Sequence, residues 1–145
     1  MHSEVFLAAA DDLKFYPGWE IEALKKMIDP IKVVGTNDLH NPEVLAGEHA
    51  THYLIKGDYI KNVGGVIDKS APVLPECYSH NWTDREYVGT AKFRGVFTPC
   101  LESIVEHLHF TFGLSQMDDT YRKTRVGIEP DRIMYEQRRD LWNRL

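Results

Sequence analysis

Residues 87–113, YVGTAKFRGVFTPCLESIVEHLHFTFG, constrain the fold more than any other part of the chain, because a strand-like run there meets a helix-like run across an Arg-Gly step. Thr98 is a residue type that caps helix N-termini, and Pro99 suits the first helical position, where no N–H is required. Leu101, Ile104, Val105, Leu108 and Phe112 then recur at helical spacing. The pattern predicts extended chain over 87–93 and a helix opening at Pro99. Backbone N–H groups left unpaired at such a start hold anions, so the junction is a candidate phosphate site.

The same reading predicts a first strand over 5–9, then a helix over 18–28 with Ile21, Leu24, Met27 and Ile28 on one face, stopped by Pro30. A brief strand follows over 31–35. Asn41-Pro42-Glu43 opens a short helical turn that Gly47 closes. Residues 51–55 and 59–67 are β-prone runs joined by Lys56-Gly57-Asp58, the signature of a hairpin, with Gly64-Gly65 marking a bulge. Residues 70–76, with Pro72 and Pro75, read as loop, 78–82 as extended chain, and 131–145 as a closing amphipathic helix with Met134, Leu141 and Leu145 on one stripe. The order implies one domain over 1–145 of α/β or α+β class, a mixed and largely antiparallel sheet with flanking helices.

Charge is unevenly placed. The chain carries 17 basic and 22 acidic residues, but residues 122–145 hold seven basic against four acidic ones. A net charge of −5 disfavours broad nucleic-acid binding. The basic helix could meet an acidic protein partner, or simply pair with its own acids. No stretch is apolar enough for a membrane span, and the first residues lack the basic flank of a secretory signal, so a cytoplasmic protein is expected. In that compartment Cys77 and Cys100 are expected as reduced thiols.

Several local strings resemble the GNAT superfamily of acyl-CoA-dependent N-acyltransferases. Lys56-Gly57-Asp58-Tyr59 with Val63-Gly64-Gly65-Val66 resembles its second and third strands, and Lys92-Phe93-Arg94-Gly95 leading into 101–108 resembles its fourth strand, pyrophosphate loop and third helix. Arg132-Ile133-Met134-Tyr135-Glu136 resembles the late helix that often carries a catalytic tyrosine. The resemblance implies a GNAT-like fold and acetyl-CoA held by Arg94, Gly95, Val96, Phe97 and Thr98. It further implies Glu86 as base on an amine-bearing small molecule or protein acceptor, and Tyr135 as the acid that protonates the thiolate. Phe97 and Pro99 stand where the family's loop has glycines, so the loop is degenerate, and proline has no N–H to donate.

The histidines suggest other chemistry. His49-Ala50-Thr51 and His109-Phe110-Thr111 resemble the paired His-x-Thr strings of 2H phosphoesterases, which implies His49 and His109 as base and acid on a phosphodiester. On strands, alternation would put each His and Thr on one face; on the helix predicted above, His109 and Thr111 would diverge. His49-x-x-His52 and Cys77-x-x-His80 have the spacing of metal-chelating pairs, but so few cysteines and glycines favour unrelated histidines and a buried thiol. A third expectation is a non-catalytic interaction or assembly protein, a viral or cellular structural accessory, using Trp19, Trp82, Trp142 and the basic tail as contact area.

Overall fold

The computed structural model describes residues 4–68 and 74–144, and its longest strand occupies the segment whose apolar spacing predicts a helix. Five strands, β1 (Val5–Ala8), β2 (Leu13–Phe15), β3 (Val33–Asn37), β4 (Tyr53–Lys56) and β5 (Phe97–His107), form one sheet in the order β1-β4-β3-β5-β2. Strands β3 and β5 run parallel and the remaining neighbours antiparallel. The sheet curls along β5, whose start pairs with β3 and whose end, residues 105–107, pairs with β2. The helices are α1 (Trp19–Lys26), α2 (Pro42–Leu45), α3 (Gly57–Asn62), α4 (Thr83–Phe93), α5 (Asp119–Val126) and α6 (Ile128–Arg139), with 3-10 turns at Phe110–Phe112 and Asp140–Asn143. The architecture is therefore mixed α+β, with a largely antiparallel sheet and flanking helices, as the order of sequence patterns implies.

Alternation along the central strands sorts the core into two layers. Val33, Tyr53 and Ile55 face α3 and α4, where they meet Tyr59, Tyr87, Val88 and Ala91. Val34 and Leu54 point the other way, onto Ala23 and Met27 at α1 and Cys100 of β5. Full burial of such aliphatic side chains stabilises the fold by roughly 1.5–3 kcal/mol each, which makes β3 and β4 the anchor of the sheet. Strand β1, helix α1 and the Asn41-capped turn α2 lie where their patterns predict them, and strand β3 lies two residues beyond its predicted span.

Five expectations are corrected. The helix predicted from Pro99 is strand β5, because its apolar residues serve a sheet once β3 offers a free edge; Lys32 and Val33 both donate to the Val96 carbonyl. Residues 87–93 are not extended but form most of α4, which buries Glu86, Tyr87, Val88, Thr90 and Ala91 against the sheet. The hairpin does not form: β4 is flanked by β1 and β3, leaving no edge for a partner, and the chain enters α3 at Gly57 instead. Gly57 is needed there, since a Cβ would lie 3.1 Å from the Glu4 carbonyl oxygen. Residues 78–82 contain no strand, and the closing helix starts earlier, at Ile128, and gives way to a 3-10 turn at Asp140. The loop predicted over 70–76 lies partly outside the described residues.

Among the described residues no helix is long and apolar enough to cross a membrane. The two cysteines are not joined; Cys77 is exposed and Cys100 buried.

Candidate active site

The carboxyl ends of the parallel pair β3 and β5 reach the same edge of the sheet, and the residues just before antiparallel β2 arrive there too. In open sheets that edge is where ligands bind, because the strands end in loops free to shape a crevice. A cleft of about 650 Å³ opens here, walled by Asp11 and Asp12 before β2, His107 and His109 of and after β5, and residues of α5. Its size falls within the range of small-molecule sites, roughly 300–1,000 Å³.

His107 is the best-held imidazole in the cleft. Its Nε2 lies 3.1 Å from Asp12 Oδ1, and its backbone N–H donates to the Asp38 carbonyl at 3.3 Å. The other oxygen of Asp12 accepts the hydroxyl of Tyr121, which ties α5 to the sheet edge. Burial pushes the Asp12 carboxyl up, but the Tyr121 hydrogen bond and the charge of His107 outweigh it, and the net shift is downward. Asp12 is therefore a carboxylate at neutral pH. In neutral His107 that carboxylate draws the proton to Nε2 and leaves a lone pair on Nδ1.

His109 has the complementary form. Its Nδ1 accepts from the backbone N–H of Thr111 at 3.3 Å and lies 2.7 Å from the Thr111 hydroxyl, so its ring proton sits on Nε2. Burial and the neighbouring His107 hold its pKa below the usual histidine value, which keeps it neutral. The ring centroids of His107 and His109 are 4.9 Å apart. One cleft wall thus carries an imidazole acceptor beside an imidazole donor.

Behind them lies a buried chain of hydrogen bonds. Asp38, fully buried, accepts the backbone N–H groups of His40 and Asn41 and the Thr51 hydroxyl at 2.9 Å. Thr51 has then spent its proton and accepts from His52 Nδ1 at 3.3 Å. His52 packs edge-on against His107 at 4.7 Å between centroids. Burial first, and the charge of His107 second, lower its pKa to about 4, so it is a neutral wall for the His107 ring. On the alternate face of β5, Glu106 accepts Tyr16 at 2.9 Å and lies 3.1 Å from His40 Nε2.

Of the residues singled out from the sequence, His80, His109 and Thr111 line the cleft, and the others lie elsewhere. His49 is buried and pairs with Asp84 on α4 at 3.1 Å, so His49 and His109 do not share the cleft. Thr51 serves Asp38, and Thr111 serves its own His109. Glu86 is buried in α4, accepting Tyr78 at 2.6 Å and the guanidinium of Arg138. Tyr135 stacks on Trp82 at 5.2 Å. Arg94 donates to the Tyr59 hydroxyl and to the carbonyls of Gly64 and Val66. The N–H groups of Arg94, Gly95 and Val96 are taken by the carbonyls of Thr90, Lys92 and Ala91. Gly95, at φ 69°, ends helix α4 in the left-handed conformation common at helix C-termini. Phe97 packs against the core and Thr98 pairs with Val34 in the sheet. The Arg-Gly step is the C-terminus of a helix, and its donors are spent on helix closure.

Three basic residues of the tail pair with acids: Arg122 with Asp119, Arg132 with Glu129 and Glu136, and Arg138 with Glu86 and Asp68. Among the described residues no group of three or more His, Cys, Asp or Glu side chains is arranged to hold a metal ion. The signal for His107 and Asp12 was present in the sequence as alternating His107-x-His109 and the Asp11-Asp12 doublet, but only strand geometry gives those spacings meaning. Compared with known protein families, characterised proteins and solved structures, the chain matches none of them.

Proposed function

We propose that the cleft hydrolyses a phosphoester by histidine general acid–base catalysis, with His107 as the proton-transferring group. The observation that carries the reading is the pairing of opposite roles on one wall: an Asp12-oriented His107 with a lone pair on Nδ1, and a neutral His109 with its proton on Nε2. Nδ1 of His107 takes a proton from water as the water oxygen bonds to phosphorus. The bond from phosphorus to the leaving oxygen breaks, and the imidazolium returns that proton to the departing oxygen. His109 donates to a non-bridging oxygen, where negative charge builds in the transition state. Arg125, on the same cleft, supplies a cation that can pair with an anionic oxygen of the ester.

This keeps the phosphodiester chemistry implied by the His-x-Thr strings but transfers it from His49 to His107. Acyl transfer from acetyl-CoA on a GNAT-like fold would require a diphosphate cradle at residues 94–98, and the donors there are engaged within the chain. The test is turnover of bis(p-nitrophenyl) phosphate. His107→Ala should abolish it, and His49→Ala should leave it within a few-fold of the parent; turnover surviving His107→Ala removes the proposal.

A further inference from the structure

We propose that the cleft takes a mononucleotide, a phosphoester attached to an amino-bearing nucleobase, with the base seated on the aromatic floor beside His109. The inference rests on the phosphoester reading of the same cleft and adds the chemistry of the group next to the phosphorus.

Three features of the cleft point there. First, the wall that carries His109 continues as aromatic surface: Phe110 lies 4.6 Å from His109 and 4.5 Å from Tyr121 between ring centroids, and all three line the cleft. Arg125 stands over the Phe110 ring at 5.8 Å, so a guanidinium plane and an aromatic floor occur together. That combination accepts a flat heterocycle, because every base has a π-face to stack.

Second, the polar groups around that floor include several acceptors. One side-chain N–H of Asn81 is spent on the Thr124 carbonyl at 3.2 Å, which leaves Oδ1 and the second N–H for a ligand. Asp118 uses one oxygen on the Tyr121 backbone N–H, at 3.0 Å, and Asp11 stands exposed on the same cleft. A row of acceptors suits an edge rich in N–H donors, as the exocyclic amines of adenine, cytosine and guanine provide; uracil presents two carbonyls and one N–H. Gln116, exposed at the rim, has both a donor and an acceptor for the rest of that edge.

Third, charge limits the phosphate count. Arg125 shares this cleft with Asp11, Asp12 and Asp118, on a chain of net charge −5. A single phosphodiester or monoester is tolerated there, whereas a triphosphate or a long nucleic-acid strand meets repulsion from three carboxylates.

The experiment compares four nucleoside 2′,3′-cyclic monophosphates with methyl riboside 2′,3′-cyclic phosphate, which has the same ester and a methoxy group in place of the base. Calorimetric binding of the matching nucleoside 3′-monophosphates is measured in parallel. Adenine, cytosine and guanine compounds should show lower KM than the uracil compound. Phe110→Leu should raise their KM about tenfold, the loss of one stacking contact, while changing turnover of the base-free ester far less; circular dichroism checks that the variant is folded. Equal KM across all four bases and the base-free ester, or a nucleotide KM unmoved by Phe110→Leu, overturns the nucleotide inference and leaves the phosphoester reading standing. Nucleotide binding that depends on Phe110 without any turnover supports the base site and removes the hydrolytic reading. Absence of both binding and turnover of nucleotides overturns the inference.

Discussion

The carboxylate of Asp12 holds His107 with one oxygen, at 3.1 Å, and the Tyr121 hydroxyl with the other, so a single acid sets both an imidazole tautomer and the position of helix α5. Replacing it by asparagine keeps the shape but allows an amide N–H to face Nε2, which turns the ring to the wrong tautomer. Asp12→Asn is expected to lower phosphoester turnover by about 10²-fold or more and stability by only about 1 kcal/mol. Parallel kinetics and urea melts separate the two effects.

Arg138 meets Glu86 with Nε and a terminal nitrogen, at 2.6 to 2.9 Å, and Glu86 is 1% exposed. This ion pair and the Arg138 contact with Asp68 dock α6 onto α4. Arg138→Met leaves a carboxylate buried without its counter-charge and is expected to cost about 3–5 kcal/mol. The double variant Arg138→Met with Glu86→Gln should recover much of that loss. Equal melting temperatures for the single and double variants would remove the ion pair as the docking contact.

Tyr87 lies fully buried between Tyr53 and Tyr59, and its hydroxyl has no hydrogen-bond partner among the described residues. A buried hydroxyl without a partner forfeits its hydration. Tyr87→Phe is expected to raise stability by about 1 kcal/mol, read as an upward shift of the urea midpoint at unchanged slope. A destabilised variant would reveal a partner for that oxygen.

His52 is lowered to about 4 by burial and by its neighbour His107, against an ordinary value of 6.5. The folded state therefore holds His52 neutral over a range where the unfolded chain protonates it. The stability linked to this residue is complete above pH 6.5, falls as pH drops, and is gone below pH 4; the span corresponds to about 3 kcal/mol. Denaturation from pH 7.5 to 4 should show this slope in the parent and a flatter one in His52→Asn. Parallel slopes would exclude His52 as the source.

Asp131 gathers the backbone N–H groups of Ser79, His80 and Asn81 at 2.7 to 3.0 Å, with the Ser79 hydroxyl at 2.9 Å. One carboxylate on α6 thus fixes the turn that brings His80 and Asn81 to the cleft. Asp131→Ala releases several charge-assisted hydrogen bonds and is expected to cost about 2–4 kcal/mol. Hydrogen exchange should quicken first at residues 79–81; uniform protection there would count against the anchoring role.

The sequence by itself determined those elements whose signals are local. Asn41 caps α2 through its own side chain, accepting the Glu43 N–H at 3.0 Å, and β3 is a short apolar run that stays a strand in any buried setting. The mixed class followed from the alternation of such runs. Tertiary structure decided what spacing leaves open. Leu101, Ile104, Val105 and Leu108 fit the helix template, yet the segment became strand because β3 presents an edge that needed a partner. Residues 87–93 became helix because the layer above Val33 and Ile55 required a packed face. The cleft was invisible for the same reason: Asp12, His52, His107 and Tyr121 are far apart in the chain, and the contacts between them exist only after the sheet curls and α5 docks. Backbone propensity is read within a few residues, whereas a site is made of distances, and those are set by long-range pairing.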